Sequence, residues 1–171
     1  YNQTGTTTGR FSSSDPNLQN IPIRTEQGRE VRRAFVAPPG MVLLAVDYSQ
    51  IELRVMAHIS EDETLIRAFE AGQDIHRATA AAVYGIDPDD VTYAQRSFAK
   101  RVNFGLMYGM GARRLAGDSE LTFSEAQQFI DTYFERLPGV MRYIESTKQM
   151  ARDHGYVETL FGRRRPFPAM H

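Results

Sequence analysis

The chain has 171 residues, 42% of them hydrophobic and 24% charged, with a formal net charge of −1. That length and apolar content suit one ordinary domain, or two small lobes, around a buried core. The absence of cysteine excludes a disulfide framework and a thiolate metal site, and no apolar run approaches the ~18 residues of a membrane span.

The small net charge conceals an uneven distribution. Residues 1–40 carry five Arg against three acids, residues 41–95 ten acids against three Arg, and residues 96–171 twelve Lys or Arg against eight acids. An acidic middle between basic ends suits a metal-assisted site beside a polyanion; an uneven surface gives the same counts. No signal peptide is visible. A start at Tyr1, in a polar Thr/Ser/Gly stretch, gives the expectation of an excised piece of a longer protein.

Residues 1–27 read as irregular, with turns at Asp15-Pro16 and Gln27-Gly28. Glu30 to Ala37 alternates loosely and reads as a strand. Pro38-Pro39-Gly40 is a turn. Met41 to Val46 is a short, wholly apolar run and reads as a buried strand that stops at Asp47. Ser49 is placed to cap a helix from Gln50 to Ile59. Helices follow over Asp62 to Ala71, closed by Gly72, and over Asp74 to Tyr84, capped by Asp74 and ended by Gly85. Others span Thr92 to about Tyr108, Ala112 to Ala116, Thr122 or Ser124 to Leu137, and Val140 to His154. Tyr156 to Leu160 and Arg163 to Phe167 flank a turn at Phe161-Gly162 and suggest a β-hairpin. The organisation is a small β-containing N-terminal part followed by a helical lobe.

The most informative stretch is 96–108. Arg96, Lys100, Phe104 and Tyr108 are spaced four apart, and each such step advances about 40° on a helix. All four fall within a stripe of about 120°, with two cations at one end and two rings at the other. Such a surface can bind triphosphate oxygens and stack a base; a solvated Arg/Lys face running into a core Phe and Tyr has the same spacing. Asn103, Gly105, Gly109 and Gly111 imply close packing or a helix end near Gly109.

Other candidates are less specific. Asp47 closes a strand and precedes a helix, as a Mg²⁺ ligand or a capping aspartate would. Glu52 lies one turn further on and suits a second ligand, a steric element or a surface acid. His76 sits in the first turn of a helix, where an imidazole can touch phosphate or simply pack. Arg163, Arg164 and Arg165 suit either a nucleic-acid backbone or a solvated turn. Arg10, Asn17, Gln19 and Asn20 offer donors in an extended segment, as minor-groove acceptors require and as many polar loops do.

Taken in order, these motifs resemble the family A DNA polymerases, the bacterial DNA polymerase I group. Asp47-Tyr48-Ser49-Gln50-Ile51-Glu52-Leu53-Arg54 matches the family's first motif without a gap. Arg96, Lys100, Phe104 and Tyr108-Gly109 match its second. Thr8-Gly9-Arg10 and Asp15 to Pro22 look like its template–primer segment, and Asp74-Ile75-His76 like its nucleotide-contacting histidine. Gly155 to Leu160 and Gly162 to Arg165 also fit, so the likeness covers essentially the whole chain.

The resemblance implies an α+β fold: a mostly helical fingers lobe attached to a partial antiparallel-sheet palm. Residues 1–60 would be palm with the template–primer segment and first catalytic motif, 61–154 fingers, and 155–171 a hairpin returning towards the palm. It implies template-directed addition of dNTPs to a primer 3′-hydroxyl by two-metal phosphoryl transfer. Asp47 would hold two Mg²⁺ ions, one with the backbone carbonyl of Tyr48. Arg96, Lys100 and His76 would bind the triphosphate, and Lys100 would also protonate or neutralise the leaving group. Phe104 would pack on sugar and base, Gln50 near the nascent pair, and Glu52 would exclude a ribose 2′-hydroxyl. Tyr108 would stand near the template base and Glu52. Arg10, Asn17, Gln19, Asn20 and Arg24 would contact DNA.

The implied partners are template–primer DNA, dNTPs, and the thumb and remaining palm of the same polypeptide, in the cytoplasm, associated with the bacterial nucleoid and away from membranes. The family's third motif, His-Asp-Glu, does not occur: none of His58, His76, His154 and His171 precedes Asp-Glu. These residues alone are therefore expected not to extend a primer. A non-catalytic nucleic-acid-binding module and a single-subunit RNA polymerase relative are the alternatives, and Glu52 argues against the second.

Overall fold

Residues 1–23 and 25–167 are described by the structure, a computed structural model. They divide into two compact units, Gln50–Gly155 and the pair of segments Tyr1–Ser49 with Tyr156–Phe167. Arg24 and His171 lie outside the described residues. The fold is α+β and mostly helical, and its sheet among the described residues is one two-stranded antiparallel hairpin.

In the first unit, an antiparallel bridge between Asn2 and Ser12 closes a polar loop. Gly9 is left-handed within it (φ 84°), and the Arg163 guanidinium lies where a Cβ at Gly9 would be. Helix α1 (Glu26–Arg33) replaces the strand expected over 30–37. Its start explains the difference: Thr25 Oγ1 accepts the Gly28 N–H at 3.1 Å, satisfying a donor that the first turn leaves orphaned. Gly28 is the helix's buried residue, with Pro22 packed where a side chain would stand.

The expected strand over Met41–Val46 is also corrected. The segment is assigned no strand, and Val42 and Leu44 are 87% and 85% exposed. A strand needs a hydrogen-bonded neighbour, and among the described residues none pairs with this run. The strands that do form are β1 (Tyr156–Glu158) and β2 (Arg164–Pro166), in register Val157↔Arg165. Gly162 (φ 80°) makes the turn between them, as anticipated.

The second unit is a bundle of α2 (Ile51–Ser60), α3 (Glu63–Glu70), α4 (Ile75–Tyr84), α5 (Tyr93–Met107), α6 (Ala112–Gly117), α7 (Phe123–Arg136) and α8 (Pro138–His154). Apolar residues recur at helical spacing and meet in one core: Leu53, Met56 and Ala57 of α2 face the same cluster as Ala126, Phe129, Ile130 and Tyr133 of α7. The start of α2 departs from expectation. Gln50, not Ser49, occupies the capping position, in the left-handed region (φ 52°) and without a side-chain cap. The expected cap at Asp74 forms, and Asp62, Thr92 and Thr122, at expected helix starts, also accept backbone N–H groups, the last two in reciprocal capping boxes.

Asp62 does more than cap its own helix. One oxygen accepts from Thr64 and Leu65 at 3.1 and 3.2 Å, and the other from Gly139 and Val140 at 2.8 and 3.4 Å. Pro138 opens α8 and has no N–H, and Leu137 supplies no side-chain cap, so Asp62 caps α8 from across the bundle. Gly139 permits the approach: a Cβ there would stand 2.7 Å from Asp62 Cα. Burial, with the Asp62 charge adding, pushes the Tyr133 hydroxyl pKa well up.

Asp62→Ala strips two helix starts and is expected to destabilise the unit by about 2–4 kcal/mol, roughly two lost caps. Urea denaturation monitored by circular dichroism measures this; a change under ~0.5 kcal/mol, the ordinary surface range, contradicts the double-cap role.

Candidate nucleotide-binding site

Helix α5 carries the 96–108 stripe and packs on α4 through small side chains. Ala80 and Ala99 are both 0% exposed, so the two backbones approach closely. That closeness brings residues far apart in sequence into one site.

Arg96 Nε donates to Asp74 Oδ2 at 2.6 Å, with both side chains about one-third exposed. The other Asp74 oxygen caps α4, accepting from His76 and Arg77 at 3.0 and 3.1 Å. Burial raises the Asp74 pKa, but the Arg96 hydrogen bond, the Arg77 N–H and nearby positive charge outweigh it, and the carboxyl lies below its ordinary value. Lys100, one turn beyond Arg96, is exposed and has no carboxylate partner among the described residues.

His76 is buried, with its ring 5.9 Å from that of Phe104 and tilted 49° to it. Burial pushes its pKa down; Asp74 opposes that shift, while Arg96 and Lys100 reinforce it. The net shift favours the neutral ring. Tyr108 falls one residue past the helix as its C-cap, and its hydroxyl donates to Glu52 Oε1 at 2.8 Å. Gly109 (φ 81°) then turns the chain, and Met110 folds back over Gly105. Beside this end of α5 lies a cavity of about 570 Å³, lined by Phe98, Arg101, Phe104, Tyr108, Met110 and Arg114.

Arg96, His76, Phe104, Lys100, Tyr108 and Glu52 thus belong to one helical unit. Gln50 begins it, with Oε1 buried and no partner among the described residues. Sequence reading missed the pairing of Arg96 with Asp74, and placed Asn103 only as a packing residue. Asn103 is 1% exposed and hydrogen-bonds His76 and Thr79. Its signal was a polar residue on the same face as Ala99, Val102 and Leu106.

The remaining candidates lie in the first unit. Asp47 and Tyr48 are exposed in the irregular segment before α2. Asn17 caps the short turn Leu18–Asn20, and Gln19 Nε2 donates to the Phe11 carbonyl at 3.1 Å. Arg10 and Asn20 are exposed. Among the described residues no group of three or more His, Asp or Glu is placed to hold a metal. Asp47 and the Tyr48 carbonyl therefore do not by themselves fit a two-ion Mg²⁺ site, which needs more oxygen ligands than they provide. No helix among the described residues is long and apolar enough to cross a membrane.

The α5 face thus joins two cations and two rings, with His76 beside it and Tyr108 hydrogen-bonded to Glu52, and the family follows from the chain as a whole. Residues 1–171 match the family model for DNA polymerase family A, and the chain belongs to that family.

It is 55% identical to the thermostable DNA polymerase I of Thermus thermophilus over 171 residues, all of this chain and 21% of that protein. It is 57% identical to DNA polymerase I of Pseudomonas aeruginosa, over all of this chain and 19% of that one. The chain thus spans about a fifth of the length of these relatives. Among solved structures it resembles the POL domain of Pol1 from M. smegmatis in complex with DNA primer-template and dNTP, with a TM-score of 0.88 and 45% identity over 98% of this chain and 30% of that one.

The depressed His76 pKa has a stability consequence. The unfolded imidazole takes up its proton near pH 6.5, whereas the folded one does so only at lower pH. The contribution of neutral His76 is full above that value, declines as pH falls through the folded pKa, and is then gone. Urea denaturation at pH 8 and pH 5 is expected to show a larger loss of stability for the parent chain than for His76→Gln. Equal losses would contradict the shift.

Proposed function

We propose that this chain is the part of a template-directed DNA polymerase that receives the incoming deoxynucleoside triphosphate, its helical unit acting as fingers and residues 1–49 with the hairpin as part of a palm. The observation that carries this reading is the α5 face, where Arg96, Lys100, Phe104 and Tyr108 follow one another, with His76 against Phe104.

Each group has a task suited to its chemistry. Lys100 presents a mobile point charge to the phosphates, and Arg96 can exchange the Asp74 carboxylate for phosphate oxygens as a planar fork. Phe104 offers a ring for the sugar and base. The Tyr108 hydroxyl, donating to Glu52, fixes that carboxylate where it leaves no room for a ribose 2′-hydroxyl. In the reaction, the primer 3′-hydroxyl gives up its proton to solvent and its oxygen forms a bond to the α-phosphorus as the bond to pyrophosphate breaks. Lys100 neutralises or protonates the departing phosphate.

Arg10, Asn17, Gln19, Asn20 and Arg24 are proposed as DNA contacts and Gln50 as a neighbour of the nascent pair. Asp47 and the Tyr48 carbonyl are proposed as contributors to a Mg²⁺ site that these residues alone do not complete. The proposed setting is the bacterial cytoplasm, where the template is.

Titration calorimetry of the chain with a dNTP tests the reading. Lys100→Ala is expected to weaken binding about tenfold, the scale of one charge-assisted hydrogen bond. Unchanged dNTP affinity, with DNA binding intact, would favour a non-catalytic nucleic-acid-binding module instead. In a full-length polymerase carrying this segment, Glu52→Ala is expected to raise ribonucleotide incorporation on the order of tenfold. Unaltered sugar selectivity would remove the steric role from Glu52.

A further inference from the structure

Three polar side chains are buried where α4 packs on α5, and their hydrogen bonds run in one direction. The Thr79 hydroxyl has a single proton and donates it to the Ile75 carbonyl at 2.8 Å. Towards Asn103 it can only accept, and Asn103 Nδ2 lies 3.2 Å away. The same amide nitrogen is 3.1 Å from His76 Nδ1. An amide NH₂ has two protons and no lone pair to offer, so one proton goes to Thr79 and the other to His76.

The opposite amide orientation is disfavoured. It would set Asn103 Oδ1 against a Thr79 oxygen whose proton is already committed. It would also bury the NH₂ where Oδ1 now sits, and Oδ1 has no partner among the described residues. An under-satisfied carbonyl is tolerated more readily than an orphaned donor. Ile75 thus orients Thr79, Thr79 orients Asn103, and Asn103 sets the ring.

We propose that Asn103 is a positioning residue that holds His76 as the neutral Nε2–H tautomer, making the imidazole a hydrogen-bond donor to an anionic oxygen of the phosphate class. The tautomer follows from the geometry alone; the phosphate ligand rests on the nucleotide reading of the α5 face. The charged groups facing the ring are Asp74 on the α4 side and Arg96 and Lys100 on α5. With Nδ1 accepting from Asn103, the ring carries its one proton on Nε2, so its value to a phosphate lies in that proton rather than in a positive charge. Asn103 immediately precedes Phe104 on α5, so the helix that offers the cations also dictates which nitrogen of the histidine carries hydrogen.

Long-range ¹⁵N–¹H correlation spectra of the histidine-labelled chain at pH 8 test the assignment, with His76 identified by its loss in His76→Gln. The expected pattern is a protonated Nε2 and a bare Nδ1. In Asn103→Asp the carboxylate can only accept, and Nδ1 is expected to gain a proton. Asn103→Leu supplies no donor, and its ring is expected to average between tautomers, with folding checked in the backbone amide spectrum. A protonated Nδ1 in the parent chain, or an unchanged pattern in a folded Asn103→Leu chain, overturns the proposal. The ligand is read separately by dNTP titration, where Asn103→Leu is expected to bind about tenfold more weakly. The expected tautomer combined with unchanged dNTP affinity overturns the phosphate role alone.

Discussion

The polar seam between α4 and α5 is the constraint on which the candidate site depends. Ala80 and Ala99 remove side-chain bulk from the helix contact, and polar groups occupy the rest of the boundary. At one end Asp74 serves two masters, capping α4 with one oxygen and binding Arg96 with the other. Further along, Asn103 links His76 to Thr79. A seam made only of apolar groups would hold the helices together as firmly, but would tolerate small rotations. Directional hydrogen bonds at two heights do not, because a slip of α5 against α4 breaks the Arg96–Asp74 pair and leaves the buried Asn103 amide without its acceptors. The groups of the candidate site thereby inherit their positions from this seam.

The stripe on α5 is therefore less uniform than its four-residue spacing implies. Arg96 is engaged with Asp74 and Tyr108 with Glu52, while Lys100 stands in solvent. On the proposed reading, an incoming polyphosphate would meet Lys100 first and would compete with a carboxylate for Arg96. That competition would discriminate: a ligand with several closely spaced negative oxygens could displace Asp74 from Arg96, whereas a weakly charged one would gain too little.

Much of the helical unit was legible because its signals are local. Asp62, Asp74, Thr92 and Thr122 each announce a helix start in the residues beside them, and Gly85 and Gly155 announce ends. The stripe was legible for the same reason, since spacing along one helix is a local property. Loose alternation over 30–37 misled, because Thr25, lying outside that window, starts α1. The apolar run at 41–46 misled because a strand is defined by its neighbour, and composition cannot supply one. In the site, the Arg96–Asp74 and Asn103–His76 pairs span 22 and 27 residues. Nothing within either local window identifies its partner. Ser49 looked like a cap, yet Gln50 takes the left-handed geometry that sets the entry to α2.

Asp62 carries a consequence for how the chain is made. Its first oxygen finds partners within three residues, as soon as α3 emerges from the ribosome, but its second waits for Gly139, 77 positions later. Closing a loop of that length costs chain entropy that no neighbouring turn can offset in advance. The early helices can form while translation proceeds, yet the bundle cannot lock until α8 arrives. A nascent chain stalled before Pro138 would expose a half-satisfied carboxylate and the apolar surface around it, a recognisable mark for chaperones and proteases.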